Sequence, residues 1–252
     1  MRCTKYSWRL APLPLLLLTG SVASLSTVTP ALACRDCQLL LRQGKALEKR
    51  GKFRDAMPLY EQAIAIDPNN GNAYYYRAEL LWKLEMPKQA LPVYDKAIAL
   101  KGNLFKAYEG KGKVYYELSE LPKAVQALTL ALNAAADDEE KADALRFRGK
   151  LYCNMKEFDK ALKDFNLSTK LTPNNSMNYK HRGNIYLRNK QYQKALDDFN
   201  MALKYCSEPE RDLLTSQRAN IYEKMGRKDL AEKDRKATRS SVMDEWGDFL
   251  KN

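Results

Sequence analysis

Histidine is almost missing from this chain, with one, His181, in 252 residues. That leaves little material for a multi-histidine metal site or for histidine-dependent catalysis. Cysteine is also scarce, and five are too few for a disulfide-dense mini-domain. With 11 glycines and 10 prolines the chain is neither collagen-like nor a Gly/Pro low-complexity segment. There is no phosphate-cradling Gly-rich loop, no cluster of metal ligands and no nucleophile set beside the lone histidine. Acids are the scarcer charge, 31 against 43 Lys and Arg, for a formal net charge of +12. A basic balance favours acidic partners, whether peptides, anionic surfaces or nucleic acid. What remains abundant is 45% hydrophobic and 29% charged residues, enough to fold a core.

The long uncharged run is at the start. Arg2, Lys5 and Arg9 precede an apolar centre, Leu10–Leu18, and no charge interrupts residues 10–33. Small residues and Ala31-Leu32-Ala33 then lead to Cys34. A basic start, short apolar centre and small-x-small exit predict a secretory signal peptide over 1–33, removed before Cys34. An uncleaved membrane anchor is the rival, but Pro12, Pro14 and Gly20 break a stretch already short of the ~20 apolar residues a span needs. The expected product is periplasmic or secreted, with a net charge of +9 once three cations leave with the leader. Cys34 follows a small residue, as in bacterial lipoproteins, although Ala31 stands where that pattern prefers leucine. Membrane attachment is expected only if Cys34 is lipidated or the leader is retained. Cys34 and Cys37 form a lone C-x-x-C, which reads as a local disulfide or as one lipidated and one free thiol. Cys153 and Cys206 are expected as free thiols.

The rest of the chain repeats itself. Ala56, Ala90, Ala124, Ala161, Ala195 and Ala231 lie 34, 34, 37, 34 and 36 residues apart. Twelve residues before each stand Gly44, Ala78, Gly112, Gly149, Gly183 and Ala219, and four after stand Tyr60, Tyr94, Leu128, Phe165, Phe199 and Arg235. A period this close to 34 is that of a helix-turn-helix solenoid. Glycine inside a helix costs about 0.5–1 kcal/mol relative to alanine. Its recurrence at one register therefore predicts close approach of a neighbouring helix, with Tyr or Leu one turn on filling the adjoining gap. The extra residues of the longer spacings are expected in loops at 134–140 and 207–211. Asn70 and Asn175 are expected to cap the following repeats.

This register resembles the tetratricopeptide repeat family over nearly all of the chain after residue 33. The resemblance implies an all-α, right-handed superhelical solenoid of about six helix-turn-helix repeats. They cover 34–240, at approximately 37–70, 71–104, 105–138, 142–175, 176–209 and 212–240. Gly102 departs from the pattern, standing where Pro68 and Pro173 close other repeats, and Arg235 makes the last repeat degenerate. Residues 241–252, whose apolar spacing is helical, are expected to cap the stack.

The resemblance also implies that each first helix lines a concave groove. Tyr75, Trp82, Lys113 and Tyr116 fall on that stripe in the N-terminal half, and Arg146, Lys150, Lys180, Asn184, Arg188 and Asn220 in the other. Residues 176–207 hold six Lys or Arg against two Asp, the most basic repeat. An acidic peptide or carboxylate is thus expected across repeats four to six, with Lys180 and Arg188 as donors. The alternatives left open are solvated charges without a purpose and an anionic polymer, either wall polysaccharide or nucleic acid. Lys180 and Asn184 resemble half of a co-chaperone carboxylate clamp, but Gln217 stands where its second asparagine belongs, so that specificity does not transfer. His181 is expected at the surface. The expected function is a non-catalytic protein–protein interaction scaffold without cofactor or metal, its protein partner unidentified.

Overall fold

The computed structural model describes residues 30–249, with side chains from Arg35 to Thr238. The leader up to residue 29 and the side chain of Cys34 lie outside these, as do the side chains of the expected cap. The described residues form twelve helices and no strand. They pair as α1 (Pro30–Lys49) with α2 (Phe53–Ile66), α3 (Gly71–Lys83) with α4 (Pro87–Ala99), and α5 (Leu104–Glu117) with α6 (Leu121–Ala134). The second half pairs α7 (Asp138–Asn154) with α8 (Phe158–Leu171), α9 (Ser176–Arg188) with α10 (Tyr192–Tyr205), and α11 (Glu208–Lys224) with α12 (Lys228–Phe249). Each pair is one repeat, packed on itself and on its neighbours in chain order. The backbone of α12 runs through residue 240 without a break, so the expected cap is continuous with the last repeat's second helix.

One turn is used six times. Gly51, Glu85, Ser119, Lys156, Lys190 and Gly226 hold equivalent positions after each first helix, all with φ between 58° and 76°. The next residue's N–H returns to the helix, as Met86 N to Leu81 O at 3.0 Å and Glu157 N to Tyr152 O at 2.8 Å. This left-handed stop satisfies carbonyls that the helix end leaves open and reverses the chain within three residues. Asparagines start several of the next helices: Asn70 accepts from Ala73 N at 3.2 Å, Asn103 from Lys106 N at 3.0 Å and Asn175 from Met177 N at 3.1 Å.

Two expectations change. The extra residues of the longer spacings do not stay in loops. They lengthen α7 and α11 to 17 residues each. Asp137 caps α7 by accepting from Glu140 N at 2.8 Å, and Asp138, Glu139 and Glu140 complement the positive end of the helix. In α11, a proline at the first turn and Glu208 and Glu210 do the same work.

A neighbouring helix does approach the recurrent glycines closely, but the residue that fills the gap is not the one a turn along. A Cβ on Gly44 would lie 2.4 Å from the Tyr60 ring, on Gly112 3.0 Å from Leu128, and on Gly149 2.9 Å from Phe165. The gap is filled from the second helix of the same repeat, by the side chain four residues after the anchoring alanine. Those alanines and Tyr60, Tyr94, Leu128, Phe165 and Phe199 are fully buried, apart from 1% exposure at Ala231. Each large one removes apolar surface worth about 1.5–3 kcal/mol. Gly102 is explained by Gly71. A Cβ on either would come within 2.7 Å of the other's backbone, so the two repeats meet there main chain to main chain.

Candidate functional site

First helices of successive repeats touch directly, α1 with α3, α3 with α5 and α5 with α7. The open clefts between them are accordingly lined by first-helix side chains. In the N-terminal half a cleft of about 300 Å³ lies between α1 and α3. Its floor is acidic but occupied: the Tyr60 hydroxyl donates to Glu48, and the Tyr94 hydroxyl donates to Glu79 at 2.5 Å. Burial raises the Glu79 carboxyl above its ordinary range, the Tyr94 bond and Lys113 pulling the other way. Lys83 pairs with Glu48 at 2.5 Å, and Lys45 donates to the Tyr76 hydroxyl at 3.1 Å.

The expected groove residues divide accordingly. Tyr75 lines this cleft, is 8% exposed, and packs beside Tyr76 and Tyr94. Trp82 is half-buried and its indole donates to Glu117 at 2.7 Å. Lys113 is neutralised by Glu109 at 3.0 Å. Tyr116 is exposed and meets the edge of Phe147, with ring centres 6.0 Å apart.

The C-terminal half differs. A cleft of about 230 Å³ between α5 and α7 holds Arg146, Lys150 and Phe147 with Lys113, Glu109 and Asp143. A second, of about 390 Å³, holds Cys153, Phe158, His181, Asn184 and Arg188. Arg146 pairs with Asp143 at 2.6 Å through one nitrogen, Nη2, while its buried Nη1 has no hydrogen-bond partner. Among the described residues Lys150, Lys180 and Arg188 have no carboxylate partner. Lys150 lies 5.8 Å from the centre of the Phe147 ring and Arg188 4.4 Å from that of Phe158. Asn220 is exposed on α11, apart from these clefts. Cys153 and Cys206 are free thiols, and burial raises the Cys153 thiol against the opposing effect of Arg188. Cys37 is buried, its sulfur accepting from Asn70 Nδ2 at 3.2 Å, which places it in the core of the first repeat.

His181 is half-buried at the edge of its cleft. Its ring stacks on Phe165, with centres 5.5 Å apart and planes 16° off parallel, and its buried Nε2 has no partner. Burial, then Lys150, Lys180 and Arg146, lower its pKa to about 4, so it is neutral at pH 7. This placement could be read from the register: His181 stands where Tyr76 and Phe147 stand in other repeats.

Three arginines escaped the sequence reading. Arg148, Arg182 and Arg218 each form a two-pronged pair with Asp164, Asp198 and Asp234, at distances between 2.7 and 2.9 Å. Each also reaches back to the preceding repeat, to Thr129, Asn166 and Asn200 respectively. Their signal was an Arg and an Asp recurring sixteen residues apart. Among the described residues no three His, Cys, Asp or Glu side chains are grouped to hold a metal ion, and no helix is long and apolar enough to cross a membrane.

Tetratricopeptide repeat models match residues 41–104 and 142–175. No curated protein matches the sequence. Among solved structures, PilF of Pseudomonas aeruginosa is 18% identical with a TM-score of 0.72, over 80% of this chain and 90% of its own. MamA of Desulfovibrio magneticus RS-1 is 22% identical with a TM-score of 0.58, over 68% and 94%. YrrB, described as a protein of this repeat class with an unusual peptide-binding site, is 20% identical with a TM-score of 0.57, over 71% and 90%. The matched residues 41–104 and 142–175 are tetratricopeptide repeats, and the turns, glycines and buried alanines of those helix pairs recur in the pairs between and after them.

Proposed function

We propose that this protein is a non-catalytic protein–protein interaction scaffold of the cell envelope or extracellular space. It holds an extended segment or helix of a partner along its first helices, with an acidic stretch seated at repeats four and five. One observation carries the seat: Lys150, Lys180 and Arg188 lie on the first helices without carboxylate partners, next to an Arg146 whose Nη1 is unused. Such groups gain charge-assisted hydrogen bonds from an incoming carboxylate without first breaking an ion pair. A peptide occupant has a parallel in the peptide-binding site of YrrB. The basic, then apolar, then small-residue start of the chain supports export. The mass of the protein recovered from cells, beginning at Cys34 with or without lipid, tests that part.

The groove is tested with a fluorescent eight-residue peptide of alternating aspartate and glycine, blocked at both ends. Lys180→Glu with Arg188→Glu is expected to weaken its binding about tenfold or more, and unchanged affinity removes the seat. An anionic polymer is the second reading, favoured by the surplus of cations. Heparin affinity should then exceed peptide affinity and collapse steeply as salt rises, whereas a groove lined partly by rings loses less.

A further inference from the structure

His181 is the lone histidine of the chain and lies inside the basic half of the groove. Its surroundings leave its Nε2 unserved. From α8 it meets the face of Phe165, which holds the ring but offers no acceptor. From α7 come Arg146 and Lys150, and from its own helix Lys180. Cys153, Asn184 and Arg188 share its cleft. The acids beside Arg146 and Lys150 are both engaged, Asp143 by Arg146 at 2.6 Å and Glu109 by Lys113 at 3.0 Å. Arg188, which has no carboxylate partner among the described residues, lines one cleft with His181 and Asn184, so the three can serve one carboxylate there, Arg188 as a permanent donor and His181 with a full charge once protonated.

We propose that His181, with the Asn184 and Arg188 that share its cleft, forms a carboxylate seat whose grip tightens as the pH falls, because the bound carboxylate draws a proton onto the imidazole. This rests on the groove reading above and adds the regulation of that site. Without ligand the cations and burial keep the ring neutral, its pKa held near 4. A carboxylate entering between them reverses the local field and favours the imidazolium. By linkage, whatever raises the histidine's proton affinity when ligand binds must raise ligand affinity when the proton binds. The proton comes from solvent and no bond to carbon changes.

A lone histidine makes the test direct, since its ring resonance is the sole imidazole signal of the protein. The probe is the blocked aspartate–glycine octapeptide, at constant ionic strength. Saturating peptide is expected to raise the titration midpoint of His181 by about two pH units. The dissociation constant is expected to fall by about threefold or more between pH 7.5 and 5.5. His181→Phe, which keeps the stack on Phe165, is expected to lose the tightening between pH 7.5 and 5.5. An unmoved midpoint, or a His181→Phe variant that tightens as the parent does, overturns the role of His181 while leaving the groove standing. Absence of binding at both pH values overturns the groove reading itself. If His181→Phe does not fold, the midpoint of the parent protein decides alone.

Discussion

Repeats one to three and repeats four to six share turns, anchoring alanines and helix pairing, yet they bury their polar groups in different layers. In the first half the buried polarity is under the groove, where the Tyr60 and Tyr94 hydroxyls donate hydrogen bonds to Glu48 and Glu79. In the second half the equivalent side chains are Phe165 and Phe199, and the polarity moves to the seam between the two helices of a repeat. There Asp164, Asp198 and Asp234 hold Arg148, Arg182 and Arg218. The first half has Leu59, Val93 and Ala127 at the aspartate's register. Its cations turn instead to the preceding repeat, Arg77 to Glu61 at 3.6 Å and Lys111 to Asp95 at 2.5 Å. One consequence reaches function. In the first half Glu48 and Glu109 hold Lys83 and Lys113, whereas in the second Asp143 holds Arg146 but Lys150, Lys180 and Arg188 have no carboxylate partner among the described residues.

The largest expected effect tests the seam. Asp198 is about 7% exposed at its side chain, so Asp198→Ala strands a mostly buried guanidinium. The expected loss is about 3 kcal/mol. Asp95→Ala removes a carboxylate that is 59% exposed and should cost less than about 1 kcal/mol. Urea denaturation of both variants measures the contrast, and equal losses would mean that the two seams do not differ.

Acid is the next probe. The folded pKa of His181, about 4, lies below the unfolded value of 6.5, so the unfolded chain takes the proton first. The contribution of the neutral, buried ring is therefore fully present above pH 6.5 and is lost as pH falls towards 4. The loss is about 2–3 kcal/mol across that window. Urea midpoints at pH 7 and pH 4.5 for the parent and His181→Phe isolate it, since other groups titrate in both. A parent that loses no more than the variant would place the histidine in water.

How far this division was legible in the sequence depends on what each feature needs. The six-fold register needs only one-dimensional spacing, and Ala56 to Ala231 supplied it with the turns and the glycines. What the glycines make room for is a three-dimensional question. The residue one turn along the same helix was the nearest in sequence, but the partner helix delivers the ring. The stripe placed Arg146, Lys150, Lys180 and Arg188 on the groove side, because helical period alone fixes a face. It could not show that Tyr75 is mostly buried, since its neighbours Tyr76 and Tyr94 come from packing. Nor could it show that Lys113 is spent on Glu109. His181 was misread for the same reason. Between Lys180 and Arg182 it sits in a charged string, yet its own angle on the helix points at Phe165.

The glycine register offers a third, smaller test. Tyr60 is pinned by its bond to Glu48, so it cannot retreat from a methyl group placed 2.4 Å away. Gly44→Ala should cost about 1–3 kcal/mol. At Gly112 the neighbour is Leu128, whose side chain would lie 3.0 Å from the added methyl group and has no polar tether. Gly112→Ala should therefore stay within about 1 kcal/mol of the parent, helix propensity offsetting the crowding. Melting temperatures of the pair decide whether the phenol–carboxylate bonds stiffen the first half.

The smallest effect serves as a control on all of these. Ser119 and Lys156 carry left-handed backbones, φ 61° and 62°, at the turn position where the first and last repeats have Gly51 and Gly226. A residue with a Cβ pays about 1–2 kcal/mol for that conformation. Glycine avoids this but loses more chain freedom on folding, about 0.5–1 kcal/mol. Ser119→Gly and Lys156→Gly should therefore each stabilise by about 0.5–1 kcal/mol, read as a raised urea midpoint with an unchanged slope. The gains should be equal, because the turn is common to both halves and touches neither the phenols nor the seam. Unequal gains would mean that the halves differ in backbone as well as in side chains, and the contrast between Asp198→Ala and Asp95→Ala would then need correcting for it.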